Sequence, residues 1–336
     1  MRTENDGAKG SSPPGKPELH IPNVTLCCVD TLYPGLGLDA LLQSMQKILY
    51  GEILFFTDRS KIDTEKIDPA IRIIDIGELK GIDAYSLFIL QSLGAYIRTS
   101  HALVIQWDGF VTAPQAWNDA FLAYDYVGAT WPMEKGPGVV GNGGFSLRSA
   151  KLLRATASNL VKRHHPEDDC IAKTNRSLLE QQFGIRFAEP ELADVFSYEF
   201  KTPTGLTFGF HGMFHFPDVM SVSALHRFVK KMPTSVPYSG YFPVFLEKLS
   251  TKAQIAADYR EVFESVTGTI KEAINQASAS QLQHSYHLAR TLIDVGLLAQ
   301  ARALIMKRVE AMPPFSFCNI KLIFKYIWRR VGPTSG

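Results

Sequence analysis

Four short stretches of this 336-residue chain bring together residue types that could do chemistry. The first is Gln106-Trp107-Asp108-Gly109, where the apolar run "HALVI" ends in a carboxylate. The second, "VVGNGGFSLRS", sets Gly141, Gly143 and Gly144 around Asn142, and such glycines let a backbone approach a ligand closely. The third, "HHPEDDC", follows Pro166 with Glu167, Asp168 and Asp169, and the fourth, "FGFHGMFHF", carries His211 and His215 among phenylalanines. Carboxylates can act as general bases, and two histidines with a distant Asp can ligate a divalent ion. Each stretch also has a plain structural reading. Asp favours the turn after a strand, glycine a tight turn, an acid the start of a helix, and a histidine among aromatics a core. The glycine spacing is that of neither a P-loop nor a dinucleotide-binding turn, and three acids in a row exceed what one helix cap needs.

The elements that would position these groups alternate along the first hundred residues. "NVTLCCVD" (23–30), "EILFFTD" (52–58), "IRIIDIG" (71–77) and "HALVIQWD" (101–108) are short apolar runs that predict buried strands. "GLDALLQSMQKILYG" places Leu38, Leu41, Leu42, Met45, Ile48 and Leu49 at helical spacing, and "DAYSLFILQSLGAYIR" predicts a second helix. Such alternation implies a mainly parallel sheet flanked by helices, with ligands bound beyond the carboxyl ends of its strands. Those ends hold Asp30-Thr31, Thr57-Asp58, Asp75 and Asp108-Gly109. Further on, "SAKLLRATASNLVKRH" predicts a helix, "HPEDDCIAKTNRSLLEQQFG" an acidic turn opening another, and "IRFAEPELADVFSYE" a strand leading into irregular chain. The α/β domain is expected over 21–220.

Composition narrows the function classes. With 46% hydrophobic residues the chain can bury a full core, and 35 basic against 33 acidic residues leave a net charge of +2. A nucleic acid is therefore not an expected partner. The four cysteines show no C-x-x-C spacing, and Cys27 and Cys28 sit inside an apolar run as small hydrophobes, which fits a reducing cytoplasm. Residues 1–20 are polar and rich in Gly, Ser and Pro, so a disordered leader is expected there. The region 221–336 is expected to be helical. Near 278–312 it reads as two amphipathic helices broken at Gly296, similar to one tetratricopeptide-type hairpin. The final "FCNIKLIFKYIWRRVG" is apolar and basic together, which leaves open a docking helix or a peripheral contact with the inner face of a membrane.

Taken in order, "QWDGFVTAPQAW", "YDYVGATWP", "GNGGFSLRS", "PEDD" and "FGFHG" resemble a glycosyltransferase of the GT-A fold. More narrowly they look like the bacterial glycosyltransferase-like family long known only as a domain of unknown function and recognised by a Gln-Trp-Asp-Gly-Phe motif. The resemblance covers roughly residues 22 to 216 and leaves out the C-terminal third. It implies an inverting enzyme that moves a sugar from a nucleotide-sugar donor to a hydroxyl of a glycan, lipid-linked or protein acceptor. It also implies a divalent metal, Mn2+ or Mg2+, bound at Asp108, with His211 as a second metal or diphosphate contact. Glu167-Asp168 match the pair whose Asp deprotonates the acceptor, so Asp168 is the expected general base. Asp30, Thr31, Thr57, Asp58, Gln106, Trp107, Gly143 and Gly144 are the expected donor contacts, and Asn142, Phe145 and Trp131 the expected acceptor contacts. Trp107, Trp117 and Trp131 offer faces on which a sugar ring can stack.

One departure motivates a second reading. Gln106 stands where the motif usually has its first Asp, and one carboxylate with neutral ligands grips a hard cation less firmly. The alternative is a catalytically degenerate GT-A scaffold that binds a glycan or nucleotide and recruits a partner through its helical C-terminus. A nucleotidyltransferase or metal hydrolase on a similar sheet would use the same residue types.

Overall fold

The structure is a computed structural model that describes residues 18–136, 139–312 and 316–331. The chain divides into two compact units between His211 and Gly212.

In the first unit the expected βαβ beginning is present: β1 (Leu19–Val29), α1 (Pro34–Met45), β2 (Ile48–Thr57), β3 (Arg72–Asp75), α2 (Ile82–Leu87) and β4 (His101–Ile105). Then come β5 (Tyr126–Val127), β6 (Phe145–Ser149) and α3 (Ala150–Thr156). After them lie the short α4 (Glu167–Asp169), α5 (Arg176–Phe183), α6 (Pro190–Phe196), β7 (Ser197–Tyr198) and β8 (Gly209–Phe210). Six strands form one mixed sheet in the order β3-β2-β1-β4-β6-β5. The first four are parallel, and β6 runs antiparallel to both β4 and β5. The mixed, mainly parallel sheet read from the sequence is thus the fold of this unit.

Alternation along β1 explains its two cores. Leu26 and Cys28 join the apolar cluster that includes Phe55, Leu103, Leu147 and Phe196, while Cys27 and Val29 join the opposite one with Leu54, Phe56, Val104 and Leu153. Both thiols are free and fully buried, and burial pushes that of Cys27 up to about 12, so it packs as an apolar group. The leader expected over 1–20 lies almost wholly outside the described residues, and β1 already begins at Leu19.

Several elements differ from the periodicity. The helix expected over 149–164 ends at Thr156, where the Arg163 guanidinium donates to the carbonyls of Thr156, Ala157 and Ser158 and so satisfies the last turn. In the segment 185–199, expected as a strand leading into irregular chain, Phe187 makes only an isolated bridge to Tyr126, and α6 follows, started by Pro190 in its first turn where β-branched residues are few. The helix opened by the three acids is interrupted at Asn175, whose side chain donates to the carbonyls of Lys162 and Cys170.

Among the described residues the second unit has helices and no strand: α7 (Phe216–Val219), α8 (Val222–Lys231), α9 (Phe242–Ile255), α10 (Ala257–Gln276), α11 (Ala279–His284), α12 (Tyr286–Asp294), α13 (Leu298–Ala311) and α14 (Phe317–Val331). The predicted break at Gly296 is there, with φ at 82°, but the preceding helix is itself divided at Ser285. His215 lies buried in a single turn, Met213–His215, of this unit.

Candidate active site

Strand pairing assembles the site. Because β6 is antiparallel to β4, the start of one lies at the end of the other: Ile105 pairs with Phe145, and the Gln106 N–H donates to the Gly144 carbonyl at 2.8 Å. The glycine stretch and the Gln-Trp-Asp stretch therefore meet. β7 and β8 are parallel with Tyr198 opposite Phe210, so Glu199 and His211 leave that pair side by side. A bridge between Val111 and Gly209 ties the pair to the chain just after Asp108.

His211 is held on both sides. Its Nδ1 lies 3.0 Å from Glu199 Oε1, and its Nε2 lies 3.2 Å from both Asp108 Oδ1 and Gln106 Oε1. Burial opposes a charge on this ring, yet Asp108 and Glu199 outweigh it and hold the imidazole well above its ordinary range. Gln106 in turn donates from Nε2 to the Tyr85 hydroxyl at 2.9 Å.

The glycines are needed for these side chains. A Cβ on Gly144 would stand 2.1 Å from His211 Nε2, and one on Gly143 would stand 2.0 Å from Glu167 Oε1. Asn142 takes a positive φ of 64° to turn the loop, and its Oδ1 accepts from the Gly144 N–H at 3.1 Å.

The acid pair is anchored to this loop. Glu167 is buried and ion-paired with the fully buried Arg148 at 2.9 Å, and Arg148 also donates to the Gly143 carbonyl. Asp168 accepts from the Gly143 N–H through Oδ2 at 2.9 Å and from the Asp169 N–H through Oδ1. A cavity of about 470 Å³ opens beside them at the carboxyl ends of β1 and β4. Asp30, Thr31, Gln106, Trp107 and Glu167 line it, with Tyr33, Ile82 and Tyr85 supplying an apolar wall. Asp30 Oδ1 accepts from the Leu32 and Tyr33 N–H groups, and Tyr33 meets Trp107 edge to face at 6.2 Å.

Other sequence candidates stand elsewhere. Thr57 is fully buried and donates to the Asp30 carbonyl, and Asp58 caps the turn Arg59–Lys61. Neither lines the cavity. Phe145 is buried between Phe196 and Phe208, at 5.3 and 6.0 Å, and belongs to the core. Trp131 packs over Gly141 and carries the Lys173 ammonium 4.4 Å from its ring. Sequence reasoning missed Glu199, Tyr85 and Arg148. Only Arg148 left a signal, as a charge inside the apolar alternation of "FSLRS".

No group of three or more His, Cys, Asp or Glu side chains among the described residues is arranged to hold a metal ion. Glu199 lies behind the His211 ring, away from Asp108. The donors that converge are one carboxylate oxygen, one amide oxygen and one imidazole nitrogen. An orienting carboxylate behind the ring is the usual support of a metal-bound histidine. These three donors, only one of them a carboxylate, would fill part of the shell of a hard divalent cation.

Residues 70–211 match the model of a family described as "protein of unknown function (DUF5672)". The match spans the first three of the four stretches and ends at His211 within the fourth. Among the solved structures to which the chain is similar are three of glycosyltransferases. One is the mannosyltransferase PcManGT of Pyrobaculum calidifontis in complex with GDP-Man and Mn2+, at 12% identity and a TM-score of 0.36, over 86% of this chain and 88% of that one. The others are of the glycosyltransferase GlyE of Streptococcus pneumoniae TIGR4. The first GlyE structure is 13% identical, with a TM-score of 0.31, over 49% of this chain and 44% of that one. The second, an apo form, is 14% identical, with a TM-score of 0.32, over 63% and 51%. The chain thus spans about half the length of GlyE. No curated protein matches it by sequence.

Proposed function

We propose that the chain is an inverting glycosyltransferase that moves a sugar from a nucleotide-sugar to a hydroxyl of a glycan, lipid-linked or protein acceptor. One observation carries this reading. The Asp108–His211 contact and the Glu167-Asp168 pair are brought to the same strand ends by one glycine loop, beside a cavity walled by Asp30, Thr31, Gln106 and Trp107. In this reading the cavity takes the nucleoside, with Trp107 and Tyr33 as apolar contacts and Asp30 and Thr31 as polar ones. Asp108, His211 and the Gln106 side-chain oxygen would hold a divalent cation, which would supply charge neutralisation for the leaving diphosphate. Asp168 takes the proton of the acceptor hydroxyl. The acceptor oxygen then forms its bond to the anomeric carbon as the bond from that carbon to the diphosphate oxygen breaks, and the nucleoside diphosphate departs with the electron pair. Arg148 and Glu167 fix the loop against which Asp168 is oriented.

Gln106 favours a second reading, a scaffold that binds nucleotide or glycan without turnover, because an amide adds no charge to the cation site. Calorimetric titration with a panel of nucleotide-sugars, with and without manganese, separates the two. The enzyme reading expects metal-dependent donor binding, weakened in Asp108→Ala, and an Asp168→Asn variant that binds donor but transfers no sugar. Metal-independent binding, or full turnover by both variants on an identified acceptor, sinks the assignment.

A further inference from the structure

We propose that the outward face of α14 binds the surface of an anionic lipid bilayer. The helix is anchored along one side. Leu322 and Asn319 are buried, Asn319 Oδ1 accepts from Arg308 Nε at 3.3 Å, and Lys325 pairs with Asp294 at 2.6 Å. On the other side Phe324, Ile327 and Trp328 are 69%, 49% and 68% exposed. Their spacing of three and four residues stacks them on one face of a helix. Single exposed apolar residues are ordinary, but three large adjacent ones form a patch that a protein keeps for a contact.

The charge around the patch identifies its partner. Residues 316–331 contain Lys321, Lys325, Arg329 and Arg330 and no acid, in a chain whose net charge is only +2. Arg329 and Arg330 are exposed directly after Trp328. Aromatic side chains beside arginines match the two layers of a membrane surface, an apolar boundary under anionic headgroups. The arginines reach phosphates while Trp328 and Phe324 enter the boundary. No helix among the described residues is long and apolar enough to cross a membrane, so the contact is superficial.

The test is co-sedimentation of the full chain with vesicles of phosphatidylcholine alone or of phosphatidylcholine mixed with phosphatidylglycerol. The chain should pellet with the mixed vesicles, more weakly in high salt, and not with the neutral ones. Arg329→Glu with Arg330→Glu should lower binding by roughly fivefold or more for each arginine. Phe324→Ser with Trp328→Ser should abolish it with far-UV dichroism unchanged, since both side chains stand in solvent. Failure of the wild type to pellet with anionic vesicles overturns the proposal, as does undiminished binding by the Phe324/Trp328 variant. So does light scattering that shows a wild-type dimer, lost in that variant, without vesicle binding, because a second copy then covers the face. None of these readouts involves sugar transfer, so the proposal stands or falls apart from the function proposed above.

Discussion

Glu199 Oε1 lies 3.0 Å from His211 Nδ1, and both side chains are largely buried. Between Asp108 and Glu199 the charged imidazole, with an N–H on each nitrogen, is favoured, and a cation that displaced the Nε2 proton facing Asp108 and Gln106 would leave the N–H on Nδ1, where Glu199 accepts it. Glu199 is therefore the residue that decides what His211 offers to the site. Glu199→Ala is expected to lower affinity for manganese with nucleotide by about 10–100-fold, while Glu199→Gln, whose Oε1 still accepts from Nδ1, keeps part of it. Manganese binding followed by electron paramagnetic resonance checks this, and an unchanged affinity in Glu199→Ala would remove Glu199 from the site.

Gly144→Ala is the smallest change that strikes the same histidine. Its Cβ would lie 2.1 Å from Nε2, so ring or loop must move, at a cost of about 1–3 kcal/mol for an overpacked site. Donor binding should be lost along with that stability. Gly205→Ala is the control, because no atom lies within 4 Å of its added carbon. Equal behaviour of the two variants in calorimetry would show that the loop yields freely.

Arg148 and Glu167 form a buried pair under the loop, and the Arg148 guanidinium also serves Ser146 and Gly143. Removing one partner strands the other charge. Arg148→Met should destabilise the first unit by about 3–5 kcal/mol, and adding Glu167→Leu should recover much of that loss. Urea unfolding of both variants measures it; a double variant no more stable than Arg148→Met would mean that the carbonyl contacts, and not the ion pair, carry the effect.

The strands were legible because length and composition agree: "NVTLCCVD" and "HALVI" are short apolar runs that carry β-branched residues, which suits a buried strand. The meeting of Gln106 with Gly144 was not, since it depends on β6 reversing direction, and no residue in "FSLRS" records its partner strand. The same holds for Glu199, twelve residues from His211 and beside it only because two strands of two residues each pair in parallel. Phe145 misled for a different reason. It neighbours the glycines in sequence, but alternation sends it into the core while the loop faces the site. Helix ends failed where side chains reach back to carbonyls, as Arg163 and Asn175 do, because such contacts leave no periodic trace.

Asp30 links the cavity to pH. The residue is 9% exposed, and burial pushes its carboxyl up to about 6, against two N–H groups, from Tyr33 and Leu32, that favour the charge. An acid whose folded pKa is raised binds its proton more tightly in the native state. The stability this brings is complete below the unfolded value near 3.8 and is lost as pH rises through about 6. The whole difference amounts to about 3 kcal/mol as an upper figure. Asp30→Asn keeps an oxygen for the two N–H groups and carries no charge at any pH. The variant should therefore match the wild type near pH 4 and exceed it in stability above pH 7, with the change centred between the two pKa values. Urea unfolding of the unliganded protein across that range checks the sign. A gap between variant and wild type that does not vary with pH would show that Asp30 titrates alike in the folded and unfolded chain.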